Sequence, residues 1–333
     1  MKIGTITIAV CLFGMLLSSC RGEQKAISKK GTQNIDTLLM KYPDSILLLV
    51  RHGEYYLKKY NFKRALSSAA KAFRLDSTNM DARMLYADVL NNRPDRTIQE
   101  VVTAQRHFGY IIEKQPKNKR ALVSMASTFS LMQDFDKSFE YINEALRIDP
   151  KYRDAYILKG TNYLQMNKTS LAKSSYETAV QQDPEFYEAY VALGNLYQKE
   201  DNPICLEYYT TAASLVPKDM NVLYLQAYAL QYFGKSEEAL QKYREMYKID
   251  DSFAMAQFQQ GFIKQFYQFD LDSAIVFYDR ALLQEPTFVE AWHNLGMCYE
   301  EKKDKSQALQ SYSKALKYNP EFQKSRESAN KLK

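Results

Sequence analysis

A short pattern recurs along this chain at a fixed interval. Ala189, Leu193, Gly194 and Tyr197 reappear with the same spacing as Ala291, Leu295, Gly296 and Tyr299. Each copy continues with a small residue about twelve positions after its glycine, an aromatic four later, an alanine three later and a proline five beyond; in the last copy these are Ala308, Tyr312, Ala315 and Pro320. Prolines or their stand-ins fall at Pro150, Pro184, Pro217, Asp251, Pro286 and Pro320, with intervals of 34, 33, 34, 35 and 34. A period of roughly 20–50 residues means a stack of like units, none able to bury its apolar face alone. Composition agrees. Glycine (11) and proline (9) are too few in 333 residues for the many tight turns of a sandwich, barrel or Rossmann-type fold. With 26 tyrosines and 17 phenylalanines there is ample material for a core, and disorder, collagen and a disulfide scaffold are excluded.

This register resembles the tetratricopeptide repeat family, whose unit is a 34-residue helical hairpin. The resemblance implies an all-α fold, a right-handed superhelical solenoid of about eight hairpins. The units are 46–79, 80–118, 119–152, 153–186, 187–219, 220–253, 254–288 and 289–322. The glycine lets the two helices of a hairpin approach closely, aromatics fill the space between neighbours, and the proline ends helix B because it has no N–H to donate. The second unit carries about five extra residues, expected around Asn91–Arg96, since closing a longer loop costs little entropy. The extra residue of the seventh is expected in the turn near Tyr267–Asp270, because the other register puts Phe262 in the glycine slot. The fifth lacks one near Pro203. A partial helix is expected within 20–45, broken by Pro43, and a polar cap helix over 323–333.

Residues 1–19 have a basic start (Lys2), an apolar stretch from Ile3 to Leu17 and small residues at the end. That is the pattern of a secretory signal peptide. Leu17-Ser18-Ser19-Cys20 resembles the lipobox of bacterial lipoproteins, which implies lipidation of Cys20 and permanent tethering. Each buried acyl CH₂ contributes about 0.8 kcal/mol, and stable anchoring takes more than one chain. Arg21 rather than aspartate after the cysteine implies outer-membrane sorting, facing the periplasm. Residues 21–34 are polar and aperiodic, a tether. Without residues 1–19 the charge is +5, from 44 basic and 39 acidic residues, and no dense basic face points to nucleic acid.

The inventory of reactive side chains is thin. His52 and His293 fall in helix A of the first and last units and cannot share a metal; with His107 they read as packing or surface residues. Cys205 and Cys298 are three repeat steps apart, roughly 25–30 Å, far beyond the reach of a disulfide, and read as buried free thiols. No phosphate loop, nucleophile elbow or paired carboxylate stands in a catalytic setting, so a non-enzyme without cofactor or metal is expected.

In the family, helix A lines the concave wall, chiefly at positions 2, 5, 9, 12 and 13 of each unit. Position five reads Val50, Met84, Val123, Ile157, Val191, Tyr224, Phe258 and His293, never Lys or Arg, so the carboxylate clamp of the chaperone-binding members is not expected. Units six and seven bring Tyr224, Tyr228 and Tyr232 beside Phe258, Phe262 and Phe266, each trio on one helical face by its spacing of four. This cluster is the candidate groove for a protein or peptide segment. The expected function is a membrane-tethered scaffold of the bacterial cell envelope, in assembly or secretion machinery. The alternative is a glycan- or peptidoglycan-associated module whose rings stack on sugars, and the alternative use of the same rings is internal packing.

Overall fold

A computed structural model of the protein describes residues 35–332. The leader, the lipobox cysteine Cys20 and the tether lie outside the described residues. Among the described residues every regular element is helical. After a short α1 (Ile35–Lys41) come eight helical hairpins. They are α2/α3 (Ile46–Lys58, Phe62–Leu75), α4/α5 (Met80–Asn92, Ile98–Lys114), α6/α7 (Lys119–Leu131, Phe135–Ile148), α8/α9 (Arg153–Gln165, Thr169–Gln182), α10/α11 (Tyr187–Lys199, Cys205–Leu215), α12/α13 (Met220–Tyr232, Ser236–Ile249), α14/α15 (Ala254–Phe266, Leu271–Gln284) and α16/α17 (Val289–Glu301, Lys305–Tyr318). A final α18 (Gln323–Leu332) follows. The chain forms two compact units, one ending at Ala189 and the other starting at Tyr190.

Local chemistry sets the helix ends. Ser45, Asn79, Asn118 and Asp219 cap A helices, and Asn61, Asp134, Asp270 and Asp304 cap B helices, each side chain accepting an N–H of the first turn. At the far end of helix B an acidic or amide side chain takes over. Asp76, Asp149, Asp183, Asp250 and Asn319 each accept the N–H two residues on, which bends the chain into the next hairpin. In the A-to-B turns one exposed residue adopts positive φ: Tyr60, Gln133, Asn167, Asp201, Gly234, Phe269 and Lys303.

The length departures resolve individually. The insertion in the second unit is not confined to the turn. The turn grows by two residues, and α5 gains three at its start because Thr97 and Glu100 form a reciprocal capping box that begins the helix early. The extra residue of the seventh unit lies in the turn, with Gly261 in the close-contact slot. In the fifth, Cys205, Leu206 and Glu207 donate to carbonyls three residues back, so a tight turn absorbs the deletion.

The glycine slot works differently from backbone approach. A Cβ at Gly160, Gly194, Gly261 or Gly296 would meet the ring of the helix B tyrosine of the same hairpin, Tyr176, Tyr209, Tyr278 or Tyr312, at 2.4–2.8 Å. All four tyrosines are fully buried. Burying a side chain of this size contributes about 1.5–3 kcal/mol, so the glycine serves as the socket for the ring. Gly53 instead receives Leu85 of the next hairpin.

Hairpins stack through the third, sixth and tenth residues of helix A. Ala82, Leu85 and Val89 join the core of hairpin 1, Ala155 and Leu158 that of hairpin 3, and Ala291 and Cys298 that of hairpin 7. Each flanking helix is tied to its neighbouring hairpin by polar contacts. Asp36 of α1 accepts from the Tyr56 hydroxyl (2.9 Å) and bonds His52 Nε2 (2.9 Å), while His52 Nδ1 bonds Ser68 Oγ (2.7 Å). At the other end His293 Nδ1 bonds the fully buried Ser325 Oγ of α18 at 3.0 Å.

Candidate functional site

The two aromatic trios each run along one face, but their rings are not equivalent. Tyr224 stacks on Tyr228 (5.9 Å between centroids) and also meets the rings of Tyr243 and Phe253. Phe258 lies against Phe288 (4.8 Å) and Tyr278. Phe262 touches Phe266 (4.5 Å) and Tyr267. Hence Tyr224, Tyr228, Phe258 and Phe262 are all half-buried, Tyr224 and Phe258 meeting rings of other elements, and only Tyr232 (49% exposed) and Phe266 (37%) stand clearly in solvent. Tyr267 and Phe269, from the lengthened turn, extend this exposed end. The Tyr232 hydroxyl donates to Asp201. Burial pushes the Tyr224 hydroxyl up to about 12, so it stays protonated and neutral at physiological pH.

Beneath the rings lies a layer that sequence reasoning missed. Gln226, Gln231, Gln257, Gln259, Gln260 and Gln265 are all buried. Gln231 Oε1 accepts from Tyr243, its Nε2 donates to Gln259 Oε1, and Gln259 Nε2 donates to the Tyr224 hydroxyl, each near 3 Å. The chain of bonds ties α12, α13 and α14 together. A buried tyrosine hydroxyl must find a partner, and the residue twelfth in helix A supplies it repeatedly. Tyr209 reaches Gln198, Tyr243 reaches Gln231, Tyr278 reaches Gln265 and Tyr312 reaches Glu300. The readable signal was glutamine or glutamate at position twelve in the last four hairpins; in hairpin 4 Leu164 stands there, and the Tyr176 hydroxyl bonds Thr161 Oγ1 instead.

In the N-terminal unit the equivalent wall is polar. Arg120 holds two carboxylates, Asp88 (2.7 Å) and Glu54 (3.3 Å), and Ser124 donates to Asp88. Burial pushes the Asp88 carboxyl up, with Arg120 opposing. Asp154 is also pushed up by burial, and Glu188 reaches about 7 for the same reason. The histidines serve packing. Those at 52 and 293 tie down the terminal helices, and His107 sits among Arg83, Phe73 and Tyr86. Among the described residues the two cysteines, Cys205 and Cys298, are buried free thiols. Among the described residues no helix is long and apolar enough to cross a membrane.

Comparison with known proteins agrees with this geometry. Residues 119–152 and 154–186 match one tetratricopeptide repeat model and residues 289–322 another. The chain is 22% identical over 203 residues to anaphase-promoting complex subunit 3 of Schizosaccharomyces pombe, covering 61% of this chain and 30% of that protein. It is 25% identical over 260 residues to Hsp70-Hsp90 organizing protein 3 of Arabidopsis thaliana, covering 75% and 44%. The chain thus spans less than half the length of these curated relatives. Among solved structures it is similar to the C-terminal part of a TPR repeat-containing protein from Cytophaga hutchinsonii (TM-score 0.58, 16% identity, 73% of this chain and 98% of that one). It is also similar to the APC/C hetero-tetramer Cut9–Hcn1 (TM-score 0.55, 16% identity, 90% and 58%). At such identities the likeness establishes the fold alone. Residues 119–152, 154–186 and 289–322 are thus tetratricopeptide repeats.

Proposed function

We propose that the protein is a lipid-tethered, non-catalytic scaffold of the bacterial cell envelope. In this reading Cys20 carries the lipid, at the outer membrane and facing the periplasm, and the body holds a segment of a partner protein in assembly or secretion machinery. The segment lies along the aromatic faces of α12 and α14. The observation that carries the reading is the exposed end of those faces, where Tyr232, Phe266, Tyr267 and Phe269 remain in solvent beside half-buried Tyr228 and Phe262. Rings kept in water on a rigid helical support favour an apolar segment, as helix-lined grooves do. A sugar-stacking role fits less well, because Gln231 and Gln259 spend their amides on each other and on Tyr243 and Tyr224.

The double substitution Tyr232→Ala/Phe266→Ala removes exposed surface and leaves the inner rings in place. Crosslinking capture from native envelopes should fall with little change in melting temperature. Unchanged capture would overturn the groove assignment. Palmitate labelling of the full chain should vanish in Cys20→Ser, and persistent labelling of that variant would remove the lipid assignment.

A further inference from the structure

The first hairpin differs from every other in what it leaves uncovered. At positions six and ten of helix A, hairpins 2 to 4 bury Leu85 and Val89, Ser124 and Thr128, and Leu158 and Asn162. Hairpin 1 carries Arg51 and Tyr55 there, both exposed, and α1, which buries no residue of its own, does not reach them. Leu47, Arg51, Tyr55 and Lys58 follow at steps of four, four and three, so they share one face of α2. Leu47 is 58% exposed and Tyr55 42%; Met40 (82%) and Tyr42 (51%) follow from the end of α1 and the turn after it. Basic groups lie over the aromatic rings, with Lys41 Nζ 5.4 Å from the Tyr42 centroid and Lys59 Nζ 4.7 Å from that of Tyr55.

The charge of the chain is concentrated at the same end. Residues 21–75 hold twelve Lys or Arg against four Asp or Glu, a net +8, whereas residues 76–333 hold 32 against 35, a net −3. The modest overall charge therefore conceals a strongly basic first quarter and a slightly acidic remainder.

We infer that this open face of hairpin 1 docks on an anionic bilayer surface. Leucine, methionine and tyrosine interleaved with lysine and arginine is the composition of a surface that enters the headgroup region, apolar bodies inward and basic tips toward phosphate. The other occupants fit poorly. A preceding hairpin would bury Arg51 without a partner, where stacked hairpins place leucine or serine. The basic stretch at 21–34, with Arg21, Lys25, Lys29 and Lys30 against Glu23, and the same face of a second copy would both meet like charge. The inference rests on the tethered reading only for bringing the face near a membrane.

The test uses the protein purified from native envelopes with vesicles of phosphatidylcholine, alone or with about a third phosphatidylglycerol, and a photoactivatable lipid mapped by mass spectrometry. Lipid adducts should concentrate on peptides from 40–63 with phosphatidylglycerol, and fall as salt shortens the screening length. Arg51→Glu/Lys58→Glu/Lys59→Glu should cut labelling by about fivefold or more per charge removed, while the exposed control pair Arg244→Glu/Lys248→Glu should not. Equal labelling on both vesicle types, adducts confined to 1–34, or chain–chain or oligonucleotide crosslinks at 40–63 in place of lipid would each overturn the inference. Vesicle pelleting reads the tether separately. A chain that fails to pellet with neutral vesicles yet is labelled at 40–63 on anionic ones loses the tether and keeps the docking face. Pelleting without labelling does the reverse.

Discussion

Gly160→Ala tests the socket logic of the hairpin core. In an open helix the change should stabilise by about 1 kcal/mol through helix propensity. Here the new Cβ would lie 2.4 Å from Tyr176 Cε1 and 2.7 Å from Cδ1, and the ring is fully buried, so it must shift. Overpacking of this kind costs about 1–3 kcal/mol. Hairpin 6 carries Ala227 in the same slot with the buried Tyr243 in helix B, so the ring can be accommodated, and the net loss expected is about 1 kcal/mol after the propensity gain. Two comparisons isolate the cause. Gly109→Ala meets only Met125 Cε, at an ordinary 3.6 Å, and should gain about 0.5–1 kcal/mol. Gly160→Ala/Tyr176→Ile recreates the Ala126 and Ile142 arrangement of hairpin 3, and should show a coupling of about 1 kcal/mol or more in a double-mutant cycle. Urea denaturation followed by circular dichroism measures the wild type, these three variants and the Tyr176→Ile single variant that completes the cycle. If Gly160→Ala stabilises as much as Gly109→Ala, the glycine is not a socket.

Arg120→Met strands the buried Asp88 beside Glu54 and should cost about 3–5 kcal/mol; adding Asp88→Asn should restore more than half, as read by the denaturation midpoint. Tyr278→Phe leaves Gln265 Oε1 and Asn294 Nδ2 without that hydroxyl and should cost about 1–3 kcal/mol. Tyr312→Phe should cost less in the same assay, because its partner Glu300 is only half-buried. Burial, assisted by the Lys324 charge, lowers the His293 pKa to about 4 from 6.5. The unfolded chain therefore takes up the proton first on acidification. Stability is full above pH 6.5 and declines toward pH 4, by about 1–2 kcal/mol once partial solvent access is allowed for; hydrogen exchange of α18 across that range reports it, and a flat profile refutes it.

The helices were legible because signature residues repeat. Ala172, Tyr176, Ala179 and Pro184 recur as Ala308, Tyr312, Ala315 and Pro320, and so they declare register, turn and core together. The early start of α5 was less visible, since Thr97 and Glu100 act only as a pair and the repeat pattern does not anticipate them. The aromatic cluster was legible as a spacing, but its depth was not. Position in helix A says which wall Tyr224 faces, whereas Phe253 and Tyr243, which half cover it, come from other elements. The glutamine layer escaped notice because glutamine counts as polar in any pattern. Tyrosine hydroxyls partner Gln231, Gln259 and Gln265, whereas Gln226 bonds Thr210 and Gln260 the Ala256 carbonyl, and none of these contacts can be read from the glutamine itself.

The positive-φ residues of the A-to-B turns amount to a series of display sites. Six of the seven are not glycine, and Tyr60 and Phe269 are bulky aromatics, although a side chain in that conformation forgoes about 1 kcal/mol. Each projects into water at the tip of a hairpin, clear of the sockets and of the stacking positions. The tips are therefore an alphabet that can be rewritten hairpin by hairpin. Glycine at any of them should firm the fold, and any other residue trades a little of that firmness for a side chain shown at a regular address.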